Sequence, residues 1–181
     1  MQVKILKVGY LQTNCYILVN GDKCLIIDPG DDPHIIENQV GNLKVVGILI
    51  THRHHDHIGA LDAIVKRYGA PIYDRSNLEE KDYEIDNFKF RVIYNPGHTD
   101  DSISFYFYEY LFMFDGDFIF KNTIGRCDLE GGDINKMYDS LRKISNYNRR
   151  IKLYPGHGEP TIMGDELDSN YYIKQAVNNY W

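Results

Sequence analysis

The run Thr51-His52-Arg53-His54-His55-Asp56-His57 packs four histidines and a carboxylate into seven residues. Three shorter islands follow: Gly97-His98, Gly116-Asp117 and Pro155-Gly156-His157-Gly158. Neutral imidazoles and carboxylates are the donors that zinc and similar first-row divalent ions take. His52, His54, His57, His98 and His157, with Asp56 and Asp117, are enough to hold two divalent cations and a bridging water. The chemistry such a centre performs is metal-assisted hydrolysis.

The spacing supports that reading. His52, His54 and Asp56 stand at i, i+2 and i+4, and alternate side chains of an extended segment share a face, so these three should converge. On a helix, i and i+2 point apart. The chain then turns into a helix, so His57 can face a different metal from His52 and His54. His55, at the alternate position, should point away, and His34 is given no role. Two dications about 3.5–4 Å apart need an anion between them, and Asp117 is the candidate bridge, with a hydroxide beside it. Asp28, at the end of a strand, is the expected acceptor for the far nitrogen of a ligand imidazole. Gly97, Gly116, Gly156 and Gly158 would permit tight or left-handed backbone beside each ligand.

The elements that must position these groups read as strands first. Apolar runs at Val3–Val8, Cys15–Val19 and Cys24–Asp28 predict strands, with Asn20-Gly21-Asp22 turning between the last two. A short helix is expected from Pro33 to Val40, capped by Asp31 or Asp32. Val45–Ile50 is a continuous β-branched run, the pattern of a strand covered on both faces. Ile58, Leu61, Val65 and Tyr68 recur at helical spacing up to Gly69. Further strands are expected at Pro71–Tyr73, Phe88–Tyr94, Ile103–Tyr108, Leu111–Phe114 and Ile151–Tyr154. Asp133 should cap a helix carrying Met137, Leu141 and Ile144, and a closing helix should run from Asp165 onward. Each candidate ligand falls just after a strand, on loops along one edge of a packed β core.

At 181 residues the chain fits a single domain over residues 1–181, with a hydrophobic share of 43% and a charged share of 25%. A net charge of −6 gives no basic footprint for nucleic acid. Cys15, Cys24 and Cys127, an odd number without a C-x-x-C pair, argue for a reducing compartment rather than a disulfide framework. Without a signal-peptide pattern or an apolar run of the ~20 residues a span needs, a cytoplasmic protein with no membrane partner is expected. Oligomeric state is not readable.

These residues resemble the metallo-β-lactamase-fold superfamily, and within it the small glyoxalase II-like (hydroxyacylglutathione hydrolase-like) hydrolases. The resemblance runs from Ile27-Asp28-Pro29-Gly30 through Thr51–His57, Gly97-His98-Thr99 and Gly116–Phe120 to Ile124–Asp133 and Pro155–Pro160. It implies an α/β (α+β) fold, a four-layer αββα sandwich with the site along one edge of the two sheets. By family pattern His52, His54 and His98 would hold the first metal, Asp56, His57 and His157 the second, and Asp117 would bridge. It also implies two divalent ions, zinc foremost with iron or manganese as alternatives. The implied reaction is cleavage of a small-molecule thioester by a metal-bridging hydroxide, with Asp56 the catalytic residue that orients the nucleophile.

The chain departs from the pattern in places. Asp100-Asp101 stand where Pro-Gly is common, which should alter that loop. Phe118 replaces a small residue and should reshape the pocket beside Asp117. Cys127 replaces a usual Thr. The chain ends at Trp181, without the C-terminal helical domain through which full-length glyoxalase II contacts glutathione. Arg126, Lys121 and Arg53 are the candidate anchors for an anionic substrate. A mononuclear iron persulfide dioxygenase on the same fold is the second reading. A nuclease or a non-catalytic metal-binding protein comes third. β-Lactamases of this fold place Cys or other ligands differently in the second position, which ranks that activity low.

Overall fold

The structure, a computed structural model, describes residues 1–178. Two sheets carry the fold. The first takes β1 (Gln2–Val8), β2 (Thr13–Asn20), β3 (Lys23–Ile27), β4 (Lys44–Leu49) and β5 (Ile72–Tyr73), in that order. The second contains β6 (Asp82–Ile85), β7 (Phe88–Tyr94), β8 (Ile103–Phe107) and β9 (Phe112–Gly116). It is completed by β12 (Lys152–Pro155) and β13 (Thr161–Ile162), in the order β13-β12-β9-β8-β7-β6. A separate ribbon pairs β10 (Ile119–Phe120) with β11 (Thr123–Ile124).

Strand alternation sorts the apolar side chains into three cores, and three cores separate four layers. Tyr16, Leu18, Leu25, Ile27 and Leu49 of the first sheet meet Phe88, Phe90, Phe105, Phe107 and Phe114 of the second. The alternate residues Cys15, Ile17, Cys24, Ile26 and Ile48 face outward. They meet Ile36 and Val40 of helix α1 (Pro33–Val40) and Leu61 and Ile64 of helix α3 (Leu61–Tyr68). On the other side Ile93, Tyr106, Met113 and Leu153 pack under Met137, Leu141 and Ile144 of helix α4 (Ile134–Ile144). Met163 of helix α5 (Met163–Ser169) and Ile173 of helix α6 (Tyr171–Asn178) complete that core. The order helix, sheet, sheet, helix is the expected αββα sandwich.

The periodic segments fold where the pattern puts them. Asp133 caps α4, accepting from the backbone N–H of Asn135 and Lys136 at 2.8 and 3.2 Å. Several expectations need correction. Asp32 occupies the N-cap of α1 in left-handed backbone but makes no side-chain cap; it accepts instead from the Gly9 N–H at 2.9 Å. The single helix expected through Ile58–Tyr68 is two, α2 (His55–Ile58) and α3. The break falls where a side chain at Gly59 would collide with the Gly30 carbonyl. The closing helix likewise splits at Asn170. Strand β6 was not expected: its Asp82-Tyr83-Glu84-Ile85 sequence is that of a charged sheet edge, paired only to β7. Phe118 does not touch the pocket beside Asp117. It is buried in the core under α4, with Ile119 beside it.

Asp115, beside the site on β9, is fully buried, with one oxygen receiving the Ile119 N–H at 3.2 Å and the other unpartnered. Burial pushes its carboxyl well above the usual carboxylate range. A buried polar atom without a partner costs about 1–3 kcal/mol. Asp115→Val removes that unpaired oxygen but also orphans the buried Ile119 N–H, two opposing costs of about 1–3 kcal/mol each, so urea denaturation should show a stability within about 1 kcal/mol of wild type; a loss of several kcal/mol would show that the second oxygen has a structural partner.

Candidate metal centre

Two parallel strand pairs bring the ligand loops to one edge. In the first sheet β3 runs parallel to β4 with Ile27 beside Leu49, so Asp28 emerges next to Thr51. In the second, β9 runs parallel to β12, and an irregularity at Tyr154/Pro155 sets Pro155 beside Gly116. The Gly156 N–H donates to the Gly116 carbonyl at 2.8 Å, tying the Asp117 and His157 loops together. The Ile103 N–H donates to the Thr51 carbonyl at 2.9 Å and ties the two sheets at the same edge.

The seven candidate residues gather there. His52, His54 and His98 form one group whose donor atoms lie within 4.8 Å of one another, and Asp56, His57 and His157 form a second; His52, His57 and Asp117 also meet that limit. Asp117 stands between the groups. Its Oδ2 is 3.4 Å from His98 Nε2 and 3.5 Å from His157 Nε2, and its Oδ1 is 3.3 Å from His57 Nε2. The expected convergence of His52, His54 and Asp56 holds only in part. Extended backbone ends at His54 (φ −62°, ψ 145°), α2 begins at His55, and Asp56 swings into the second group, 3.1 Å from His157 Nε2. His55 is exposed, as alternation predicts.

Hydrogen bonds fix which ring nitrogen faces inward. His57 Nδ1 donates to Asp28 Oδ2 at 2.8 Å. His98 Nδ1 donates to the Arg126 carbonyl at 2.6 Å. Thr51 Oγ1 donates to Asp28 Oδ2 at 2.6 Å, which leaves it to accept from His52 Nδ1 at 3.1 Å. The Nε2 lone pairs of all three rings therefore point into the cluster. Asp28 thus accepts from the His57 ring, and does so in left-handed backbone (φ 51°), where Asp is tolerated better than most residues.

These residues fit metal ions. His52 Nε2, His57 Nε2 and Asp117 Oδ1 are buried with no hydrogen-bond partner. His98 Nε2 faces His54 Nδ1 at 2.9 Å, a contact between lone pairs unless a cation or proton is shared. Burial, reinforced by the surrounding imidazoles, holds His52 well below the usual histidine range and lowers His54, so both rings are neutral at pH 7. Burial opposes charge on His57 too, but Asp28 and Asp117 outweigh it and raise it to about 10. Against the same desolvation, Asp56 and Asp117 raise His157. The carboxylates that would hold protons on those two rings are also ready to balance a dication, so cation binding there releases protons.

Several glycines around the centre are sterically required, Gly156 among them. A Cβ on Gly156 would lie 2.1 Å from Asp117 Oδ1 and 2.5 Å from His57 Cε1, inside the cluster.

The sequence reading missed the start of β2. Thr13 Oγ1 donates to Asp56 Oδ2 at 2.8 Å. Asn14 Nδ2 donates to the Pro155 and Gly158 carbonyls at 2.8 and 3.0 Å, its N–H donates to the Gly156 carbonyl at 2.7 Å, and Tyr16 Oη donates to the Pro155 carbonyl at 2.5 Å. This strand thus braces both Asp56 and the loop carrying His157. The available signal was the polar pair Thr13-Asn14 directly before the apolar run Cys15–Val19. Thr13→Val should lower affinity for the second metal equivalent, and turnover with it, by about tenfold, the usual loss when a ligand's supporting hydrogen bond is removed. Thr13→Ser should restore both. Chelator competition would show it, and unchanged affinity in Thr13→Val would refute the bracing.

The candidate anion anchors are all engaged. Arg53 donates through Nε to Asp74 at 2.9 Å, Arg126 grips Asp128 at 2.7 and 2.8 Å, and Lys121 lies 3.6 Å from Glu159. Cys15 and Cys24 are buried, and burial raises the thiols of Cys24 and Cys127 to about 11, so neither is a thiolate nucleophile at neutral pH.

Comparison with known proteins agrees with this geometry. The family profile described as "Metallo-beta-lactamase superfamily" matches residues 8–81. The Bacillus subtilis (strain 168) protein named "Probable metallo-hydrolase YqgX" is 30% identical over 206 residues, covering 96% of this chain and 98% of that protein. The hydroxyacylglutathione hydrolase of Francisella tularensis subsp. novicida (strain U112) is 33% identical over 182 residues, covering 90% of this chain and 72% of its own length. Among solved structures, the BLEG-1 B3 metallo-β-lactamase superposes with a TM-score of 0.90 at 33% identity, over 95% of this chain and 99% of that one. TTHA1623 in a di-iron-bound form superposes with a TM-score of 0.86 at 30% identity, over 94% and 100%. No helix among the described residues is long and apolar enough to cross a membrane. A metal-ligand cluster at the edge of an αββα sandwich, with near-full-length similarity to a metallo-hydrolase, leads to one statement of family: the chain belongs to the metallo-β-lactamase superfamily.

Proposed function

We propose that the protein is a dinuclear metal-dependent hydrolase that cleaves a small-molecule thioester. The observation that carries this reading is the placement of Asp117 within 3.5 Å of ring nitrogens from both histidine groups. His52, His54 and His98 would hold one divalent ion, Asp56, His57 and His157 the other, with Asp117 shared between them. Two such ions supply hydroxide near neutral pH and a Lewis acid for the carbonyl. Zinc is the first choice, and iron is supported by the di-iron neighbour.

The chain's own residues do the positioning. Asp28 and the Arg126 carbonyl fix the rings of His57 and His98, so their lone pairs need no reorientation during the reaction. Thr13 and His157 hold Asp56, which accepts a hydrogen bond from the attacking water and aims it at the carbonyl carbon. The leaving thiolate is stable near neutral pH and needs no general acid. The similarity to a hydroxyacylglutathione hydrolase supports the thioester assignment. The absence of a disulfide among Cys15, Cys24 and Cys127 supports a cytoplasmic setting.

The test is metal quantification on purified protein with a hydrolysis panel of thioesters, a β-lactam, a phosphodiester and a persulfide with oxygen uptake. Two equivalents of metal and selective thioester turnover are expected. One iron with oxygen consumption on the persulfide would favour the dioxygenase reading instead. Asp56→Ala should lose the second metal and reduce turnover by roughly a hundredfold or more; near-wild-type turnover would overturn its assigned role.

A further inference from the structure

We propose that the substrate cleft selects thioesters of an uncharged thiol bearing an apolar acyl group, and discriminates against glutathione thioesters. This rests on the thioester-hydrolase reading above and names the substrate class for it. A cleft of about 510 Å³ opens beside His54 of the first group, walled by Arg53, Asp100, Asp101, Leu129 and Glu130. Its one cation is occupied: the Arg53 guanidinium is bound to Asp74, a carboxylate that is 4% exposed, while the Arg53 N–H donates to Asp101 at 3.2 Å. Asp100 is balanced by Lys136 at 2.6 Å, whereas Glu130 has no hydrogen-bond or ion-pair partner among the described residues. The wall therefore carries excess negative charge.

The cations around the rest of the mouth are engaged as well. Arg126 is held in a two-pronged pair by Asp128, and Lys121 by Glu159. Lys7, within the field of the same Glu159, donates to the Gly158 carbonyl at 2.9 Å. Glutathione brings two carboxylates and one ammonium. In this cleft its carboxylates would meet Asp100, Asp101 and Glu130, where the one lining cation, Arg53, is already bound to Asp74, and like charges brought together select against a partner.

The mouth instead offers apolar surface. Tyr10 is 96% exposed and Leu11 is 58% exposed on the tight Gly9–Gln12 turn, which walls a second cavity of about 150 Å³ containing Asp56. Leu129, on the wall of the cleft beside His54, is 42% exposed. Large side chains left in water in the walls of the two cavities that reach Asp56 and His54 mark a binding surface for an apolar group.

The test holds the acyl group constant and changes only the thiol. Benzoyl-N-acetylcysteamine, which is uncharged, is compared with S-benzoylglutathione on the metal-loaded protein. The expected kcat/KM ratio is about tenfold in favour of the uncharged thiol, shrinking as salt screens the carboxylates. In Glu130→Lys the ratio should move towards glutathione by about threefold or more. Calorimetric titration with S-methylglutathione, which has no scissile bond, should show no saturable binding. Equal or better turnover of S-benzoylglutathione, or a saturable S-methylglutathione isotherm, overturns this proposal and leaves the hydrolase reading standing. No turnover of either thioester overturns the hydrolase reading, and this proposal with it.

Discussion

Asp117→Ala is expected to reduce bound metal from two equivalents to one or none and to cut thioester turnover by roughly a thousandfold, equivalent to about 4 kcal/mol of transition-state stabilisation. The reason lies in charge and position. Two dications a few ångströms apart repel strongly, and Asp117 is the carboxylate within 3.5 Å of donor atoms from both groups. Asp56, the other carboxylate, reaches only the second group. On the proposed assignment, removing Asp117 would take away the ligand the two ions share and the anion between them. Elemental analysis after dialysis, paired with steady-state kinetics, measures both. Two retained equivalents with normal turnover would mean that the bridge lies elsewhere. The fold should tolerate the change, because the Asp117 carboxylate spends its ion-pair contacts on imidazoles of the centre.

Asp28→Ala is expected to act on stability and metal together. One carboxylate receives the Thr51 N–H at 2.8 Å, the Thr51 hydroxyl at 2.6 Å and His57 Nδ1 at 2.8 Å, all buried. Truncation orphans these donors at a cost of about 3 kcal/mol in total, since each buried group left unpaired costs about 1–3 kcal/mol before relaxation. It also frees the His57 ring to turn, which should weaken metal affinity by about 10- to 100-fold. Asp28→Asn keeps an acceptor for the Thr51 N–H and should recover most of the stability while leaving affinity impaired. Urea denaturation of metal-free protein separates the two effects. An Asp28→Ala protein as stable as wild type, with unchanged affinity, would show that Asp28 does not position His57.

Much of this arrangement is legible from residue types and spacing because the governing rules are local. Alternation within Cys15–Val19 and Cys24–Asp28 sorts side chains onto two faces, and the structure fills those faces with separate cores. Asp133 caps its helix because a side-chain oxygen there reaches backbone N–H groups two and three residues on. The failures arise where a non-local contact decides. His52, His54 and Asp56 look equivalent by alternation, yet the helix beginning at His55 moves Asp56 to the other group. Asp32 is a natural cap by sequence, but the Gly9 N–H claims its carboxylate. Asn14 braces Pro155 and Gly158, more than 140 residues away, and nothing in a strand's periodicity encodes that partner. The candidate anion anchors Arg53 and Arg126 are paired to Asp74 and Asp128, and only the folded chain shows those pairings.

The most direct test is anomalous diffraction from crystals grown with excess zinc. Two peaks should appear roughly 3.5–4 Å apart, the spacing of two-metal hydrolytic centres, one among His52, His54 and His98 and the other among Asp56, His57 and His157, with Asp117 touching both. A lone peak, or imidazoles turned outward around an empty centre, would contradict the account.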